Sequence, residues 1–290
     1  MKLRVHADDC GVSRGVTDAI LRCIDEGPVE GTSLIANGAA FDYAVAALRA
    51  RPQVALSVHL NLIEGPPVAP AAGLGLLVGN DGLLRSSFQS LLRAHTFGSA
   101  KLRSALEAQV RTELTAQVER VRAAVGPGVA LRLDSHQHLH HLPFIFRIVT
   151  QLCGALPAAM RLAREPFFAG RHSLSGLAKH ALLNALSASH RKTLRARGIA
   201  SDDYLVGLLR TGRMTPAAVD KALGRLRARS QKSSELSVEL LFHPGGAAPG
   251  EEAIWARYPA LAAYYFSPDR RAESEALRSP AMAACLARWR

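Results

Sequence analysis

Leu3-Arg4-Val5-His6-Ala7-Asp8-Asp9-Cys10-Gly11 begins as a short apolar strand and runs directly into two adjacent carboxylates and a glycine. Arg14 to Glu26 follows with Val16, Ala19, Ile20 and Cys23 at helical spacing. The same alternation continues along the chain. Thr32 to Ala36 reads as a second strand and Phe41 to Arg51 as a second helix. Val54 to Leu62 reads as a third strand, with Val54, Leu56, Val58, Leu60 and Leu62 alternating with Ala55, Ser57, His59 and Asn61. Leu131 to Ser135 is a fourth strand, and Pro143 to Cys153 is a helix with Gly154 as its stop. Weaker strand signals lie at Met160 to Leu162 and Tyr204 to Leu208, and a strong one at Leu236 to Phe242. Thr215-Pro216 and Ser267-Pro268 each set a capping residue before a proline at the first helical position. Repeated βα units predict an α/β fold on a parallel sheet.

Two stretches interrupt this rhythm; the second, Phe167 to Arg197, is basic and helical with no following strand of comparable strength. In the first, between the third and fourth strands, Gly65 to Gly82 is rich in Gly, Pro and Ala, and a helix is expected around Leu102 to Val125. We read about 63 to 128 as a long lid-like insertion. The 290 residues show no internal repeat and no linker, so a single domain from 1 to 290 is expected.

The acids and histidines are not scattered. Asp8-Asp9 closes the first strand, His59 lies in the third, Asp134-Ser135-His136-Gln137-His138-Leu139-His140-His141 closes the fourth, and His243-Pro244-Gly245 closes the last strong one. In a parallel barrel or wound sheet the carboxyl ends of strands meet at one mouth, where active sites are built. Each cluster alone has a plain structural use: helix capping for Asp8-Asp9, a satisfied core imidazole for His59, a turn for His243. Together they supply a carboxylate and two imidazoles, a facial ligand set that leaves positions open on a divalent cation. A second carboxylate beside the first can act as general base, and Asp134 can instead orient a ligand histidine from behind. Asp8 and Asp9 would face opposite sides of a regular strand. Both reach one site only if the chain turns at once, as Gly11 permits.

Composition narrows the class. The formal charge is +12, from 36 Lys+Arg against 24 Asp+Glu, but the cations are spread along the chain and no nucleic-acid-binding motif accompanies them. Nucleic acid is therefore not an expected partner, whereas peripheral contact with an anionic membrane is compatible with the charge. No apolar run approaches the roughly 18 residues of a membrane span. The first residues do not read as a signal peptide, because acids follow a short apolar run. Cys10, Cys23, Cys153 and Cys285 have no paired spacing and read as free thiols, which points to the cytoplasm. A homodimer is compatible with everything above.

At these residues the chain resembles the YdjC-like carbohydrate deacetylases, the family that includes the chitooligosaccharide deacetylases. The motifs are His6-Ala7-Asp8-Asp9-Cys10-Gly11-Val12-Ser13, Ser57-Val58-His59-Leu60-Asn61-Leu62 with Glu64-Gly65-Pro66-Pro67-Val68, Leu133 to His140, and Phe242-His243-Pro244-Gly245. Family patterns usually carry Asn at the place of His6, Phe at Cys10 and His at Gln137. The resemblance implies a single distorted TIM-like (β/α) barrel and hydrolysis of an N-acetyl group from an amino sugar, aided by one divalent metal ion, Mg²⁺ or Zn²⁺. By position it implies Asp9, His59 and His136 as metal ligands and Asp8 as general base. His243 becomes the acid that protonates the departing amine, or a transition-state stabiliser. Asp134, His138, His140 and Asn61 would support the ligands or touch substrate. A finer resemblance, carried by Phe242 to Gly245 and by Arg257-Tyr258-Pro259 through Tyr264-Tyr265-Phe266-Ser267-Pro268-Asp269-Arg270, is to the branch associated with hopanoid biosynthesis. It implies a lipid-linked N-acetylglucosamine substrate and a cytoplasmic enzyme peripheral to the inner membrane.

Overall fold

The structure is a computed structural model, described here for residues 1–153, 159–168, 173–229 and 236–290. Six strands form one parallel sheet: β1 (Lys2–Cys10), β2 (Gly31–Leu34), β3 (Ala55–Leu60), β4 (Leu131–Ser135), β5 (Tyr204–Val206) and β6 (Ser237–Phe242). Their order is β4-β3-β2-β1-β6-β5. The two edges are joined by residues 159–164, the weak strand signal in the sequence. On one side Leu133 N donates to Ala159 O and Arg161 N to Leu133 O, at 2.9 and 3.0 Å. On the other side Met160 N donates to Ala200 O and Leu205 N to Arg164 O, each at 2.9 Å. The sheet therefore curls into a distorted barrel; the alternation of strands and helices predicts its parallel strands, and the curl is the one the family resemblance implies.

Among the described residues ten helices pack around it: α1 (Arg14–Asp25), α2 (Phe41–Arg49), α3 (Phe88–Phe97), α4 (Ala100–Val125), α5 (Pro143–Leu152), α6 (Leu174–Ala196), α7 (Pro216–Arg229), α8 (Pro259–Tyr265), α9 (Pro268–Leu277) and α10 (Pro280–Trp289). Ser13 caps α1, Thr215 caps α7 and Ser267 caps α9, so the start signals are used as expected. The helix stop expected at Gly154 falls outside the described residues. Strand β3 ends two residues before the expected Leu62, because Asn61 folds back. Its Oδ1 accepts from Ile63 N at 2.8 Å, starting a turn.

Between β3 and β4, α4 packs on β3 and α5 and so occupies the place of a crossover helix. Glu113 from α4 accepts from Val68 N and Ala69 N, both at 2.9 Å, while Leu74, Leu77 and Leu84 are buried. The Gly-rich run is thus moored to the barrel rather than lying loose over it.

Strand β1 continues through both acids to Cys10, further than Ala7, and it is not regular there. Its register with β2 shifts between Ala7 and Cys10, and Asp9 takes φ +74°. This bulge resolves the facing problem posed by adjacent residues: one left-handed residue swings the second carboxylate to the side of the first. Gly11 follows at φ +87°, beside the Leu34 side chain.

Candidate active site

Asp8, Asp9, His59, Asp134, His136 and His243 all lie at the carboxyl ends of β1, β3, β4 and β6, and all but His243 are under a tenth exposed. His59 Nδ1 lies 2.6 Å from Asp134 Oδ1. Asp134 is held well below the usual carboxylate range: burial works against its charge, but the Arg161 charge and the hydrogen bond from His59 outweigh it. An ionised carboxylate can only accept, so Nδ1 donates and the Nε2 lone pair is left facing Asp9 Oδ1 at 3.6 Å. This is the carboxylate–histidine pairing that orients a metal-binding imidazole.

His136 is placed in the same manner. Its Nδ1 is 3.3 Å from Asp9 Oδ1 and its Nε2 is 3.2 Å from Glu64 Oε1. Glu64 is itself fixed, accepting from Trp255 Nε1 at 2.6 Å and from Tyr265 Oη at 3.0 Å. Burial disfavours a charged His136, yet the neighbouring carboxylates of Asp9 and Glu64 push its pKa up to about 10. The cradle therefore draws positive charge to its centre.

Asp9 Oδ1 is buried and has no hydrogen-bond donor, although Asp9 Oδ2 accepts from Arg270 at 2.9 Å. Donors about 2.1 Å from a tetrahedral centre lie about 3.4 Å from one another, close to the separations between Asp9 and the two imidazoles. The Asp9, His59 and His136 set thus fits a divalent cation in donor chemistry, spacing and charge.

His6, Asp8 and Asp134 form a second cluster with metal-binding spacing. Arg161 already occupies it. The guanidinium grips Asp8 with two bonds, at 2.7 and 2.8 Å, reaches Asp134 at 3.2 Å, and turns its Nε to Glu239 at 2.6 Å. Asp8 is accordingly held well below the usual carboxylate range: burial opposes this, and Arg161 outweighs the burial.

The remaining expected residues divide. His243 Nε2 stands 4.0 Å from Asp8 Oδ2, and burial pushes its pKa down to about 4, so the ring is neutral near pH 7. Its backbone N–H donates to Glu273, and Gly245 makes the sharp turn that follows. A Cβ at Gly245 would lie 1.9 Å from that of Ala19. His140 is wholly buried between the Ser135 hydroxyl (2.6 Å) and the Arg161 carbonyl (2.9 Å), which fixes the backbone carrying Arg161. Asn61 also supports rather than contacts: its amide donates to Asn37 Oδ1 and Glu64 O. His138, in a left-handed conformation at φ +62°, faces a neighbouring cavity.

His6 does not bring a charge. Its Nε2 pairs with Ser33 Oγ at 2.7 Å, and burial with the nearby Arg161 lowers its pKa to about 3. We expect His6→Asn to leave the pH–rate profile unshifted above about pH 5. A moved acid limb would show that His6 titrates during turnover.

Sequence reasoning did not single out Arg161, Arg270, Glu64 or Glu239. A lone arginine among Met160, Leu162 and Ala163, and a lone glutamate between Val238 and Leu240, are the available signals, since a charge inside an apolar strand must find a partner.

These charges set the pH dependence of stability. Asp8, Asp9 and Asp134 have lowered pKa values, so their contribution is full above about 3.9 and is lost as pH falls below it. Glu165 and Glu273 act oppositely. Burial pushes each up to about 7, so stability falls as pH rises from about 4.3 to that value. His6, His140 and His243, which burial keeps neutral, add the opposite slope. The unfolded chain takes up protons on them below about pH 6.5, so acidification through that range costs stability, and the three outnumber the two glutamates. The melting temperature should therefore peak near about pH 6.5. A scan of melting temperature against pH checks this, and a maximum on the alkaline side of neutrality would contradict it.

Residues 2–288 match the YdjC-like protein family. The chain belongs to that family. Its relatives include the human carbohydrate deacetylase, 32% identical over 256 residues, covering 84% of this chain and 75% of that one. The mouse carbohydrate deacetylase is 31% identical over 261 residues, covering 84% and 78%. Among solved structures, a putative cellobiose-phosphate cleavage protein from Enterococcus faecalis V583 superposes with a TM-score of 0.71 at 18% identity, covering 99% of this chain and 94% of that one. That likeness is one of fold and agrees with the barrel described above.

Proposed function

We propose that this YdjC-like protein is a carbohydrate N-deacetylase that hydrolyses the acetamide of an N-acetylglucosamine-type sugar with the help of one divalent ion. The observation that carries the reading is the pairing of two unlike carboxylates at the end of β1. Asp9 turns an unbonded oxygen toward two imidazoles, while Asp8 is clamped by Arg161. Asp9, His59 and His136 would hold the ion, whose Lewis acidity polarises the amide carbonyl and acidifies water.

The chain's own groups supply the proton transfers. Asp8, kept ionised by Arg161, is a weak base, sufficient for a water already made acidic. Once protonated, the same carboxyl is a strong acid and hands its proton to the departing amine. His243 starts out neutral, which favours its role as a hydrogen-bond donor to developing charge over that of an imidazolium acid. Arg161 also speaks against a two-metal phosphoesterase, because a guanidinium fills the second carboxylate cluster.

The carrier we propose is a hopanoid lipid, with the enzyme in the cytoplasm and peripheral to the inner membrane; soluble chitooligosaccharide is the competing substrate. The family resemblance of the 257–270 segment supports this reading, and that segment walls the site: Tyr265, with Trp255 just before the segment, holds Glu64, and Arg270 holds Asp9. Acetate release by metal-stripped protein, with Zn²⁺ or Mg²⁺ restored, tests the activity on soluble and lipid-linked N-acetylglucosaminyl substrates. Metal-dependent acetate is expected, with the lipid-linked substrate preferred. Phosphate release without acetate would replace the reading.

A further inference from the structure

A cavity of about 210 Å³ lies beside the candidate site, between the first half of α6 and the loop after β5. His138 lines it from the turn that also carries His136, so this cavity and the metal cradle share a wall. The polar lining has one sign. Lys179 and Arg213 bring cations, Ser173 and Thr211 bring hydroxyls, and among the described residues no Asp or Glu lines the cavity. Among the described residues neither the Lys179 ammonium nor the Arg213 guanidinium has an ion-pair partner, whereas many other surface arginines do, such as Arg51 with Asp25 and Arg278 with Glu26. His138 is only 8% exposed, and its Nδ1 is buried with no hydrogen-bond partner. A buried ring nitrogen left without a partner is unfavourable.

The outer face of α6 is unusual as well. Leu174 is 86% exposed and Leu182 40% exposed, with Ala178, Ala181 and Ala185 also exposed along the helix. From Pro166 to Ser201 the sequence holds six Lys and Arg residues and no acid. Apolar side chains at the rim of an acid-free cationic cavity match a phosphate with hydrocarbon beside it better than a free phosphate in water.

We propose that this cavity binds the phosphate of an anionic phospholipid headgroup, with the outer face of α6 resting in the headgroup layer of the bilayer. The mouth of the barrel then opens toward the membrane, one turn of chain from the headgroup. The use of such a site rests on the lipid-carried substrate proposed above; its chemistry does not.

Sedimentation of the full chain with vesicles tests this, comparing phosphatidylcholine alone with an equal mixture of phosphatidylcholine and phosphatidylglycerol. Binding to the mixed vesicles only is expected. The double variant Lys179→Gln/Arg213→Gln should bind about thirtyfold more weakly, since each cation near an anionic surface contributes on the order of fivefold. Leu174→Ser should weaken binding independently of charge. The double variant Arg288→Gln/Arg290→Gln serves as the control. It removes cations at the opposite pole, where Met1 N meets Trp289 O and Arg290 meets Glu30 ahead of β2. Acetate release from a soluble N-acetylglucosamine substrate, followed on the same preparations, should be equal in all of them. Failure of that activity would indict the deacetylase reading and not the headgroup site. An equal loss of binding in the control variant, or no loss in the Lys179 and Arg213 variant, would overturn the proposal. Inorganic phosphate that raises the melting temperature through Lys179 and Arg213, without vesicle binding, would also overturn it in favour of a soluble phosphate.

Discussion

Asp8→Asn is expected to lower turnover by about a thousandfold or more, since a positioned general base contributes roughly 10²–10⁴ and here the same group also returns the proton. The loss should fall on kcat, with metal content unchanged, because Asp9 and the two imidazoles keep their places. The counterpart is His136→Ala or His59→Ala, which should lose metal and turnover together. Metal analysis beside steady-state kinetics separates the two patterns. Retention of full rate by Asp8→Asn would remove Asp8 from the reaction, and loss of metal by that variant would make it a ligand.

Arg161→Met carries the second large effect. Asp8, Asp134 and Glu239 all lean on one buried guanidinium, and removing a partner from a buried pair costs about 3–5 kcal/mol. Asp8 and Asp134 would then lose their cation while Glu239 keeps only Arg132, so the loss should lie toward the top of that range. The sign with pH follows from linkage. Without the guanidinium the buried acids take pKa values above their unfolded ones, so the variant should regain stability on acidification toward about pH 5. Urea unfolding at two pH values measures this. A loss under about 1 kcal/mol would mean that water or rearrangement replaces the arginine.

Much of this architecture was legible because it rests on periodicity. Strands β1, β3, β4 and β6 announce themselves by apolar runs of the right length, and their polar ends fall where a parallel sheet converges. The inward aim of both Asp8 and Asp9 was not legible, because it depends on one residue at positive φ, which no side-chain pattern encodes for an aspartate. The guanidinium at Arg161 was hidden for a different reason. Its segment pairs with both edges of the sheet through a few irregular bonds, too short to leave a period of two, and its partners lie 153 and 78 residues away. The crossover role of α4 was masked by the Gly-rich run before it, which reads as a lid until Glu113 is seen tying it down. Asn61, expected to support the ligands or touch substrate, spends its amide on Asn37 and on the loop that presents Glu64.

The bond between Arg270 and Asp9 joins groups 261 residues apart, and β6 lies against β1 across nearly the whole length of the chain. A polypeptide emerging from the ribosome therefore possesses its first catalytic residues long before it can orient them. Pairings this remote are entropically slow to form. Hydrolytic competence should consequently appear only once the segment through Arg270 has been made and folded, so activity gauges the integrity of that segment.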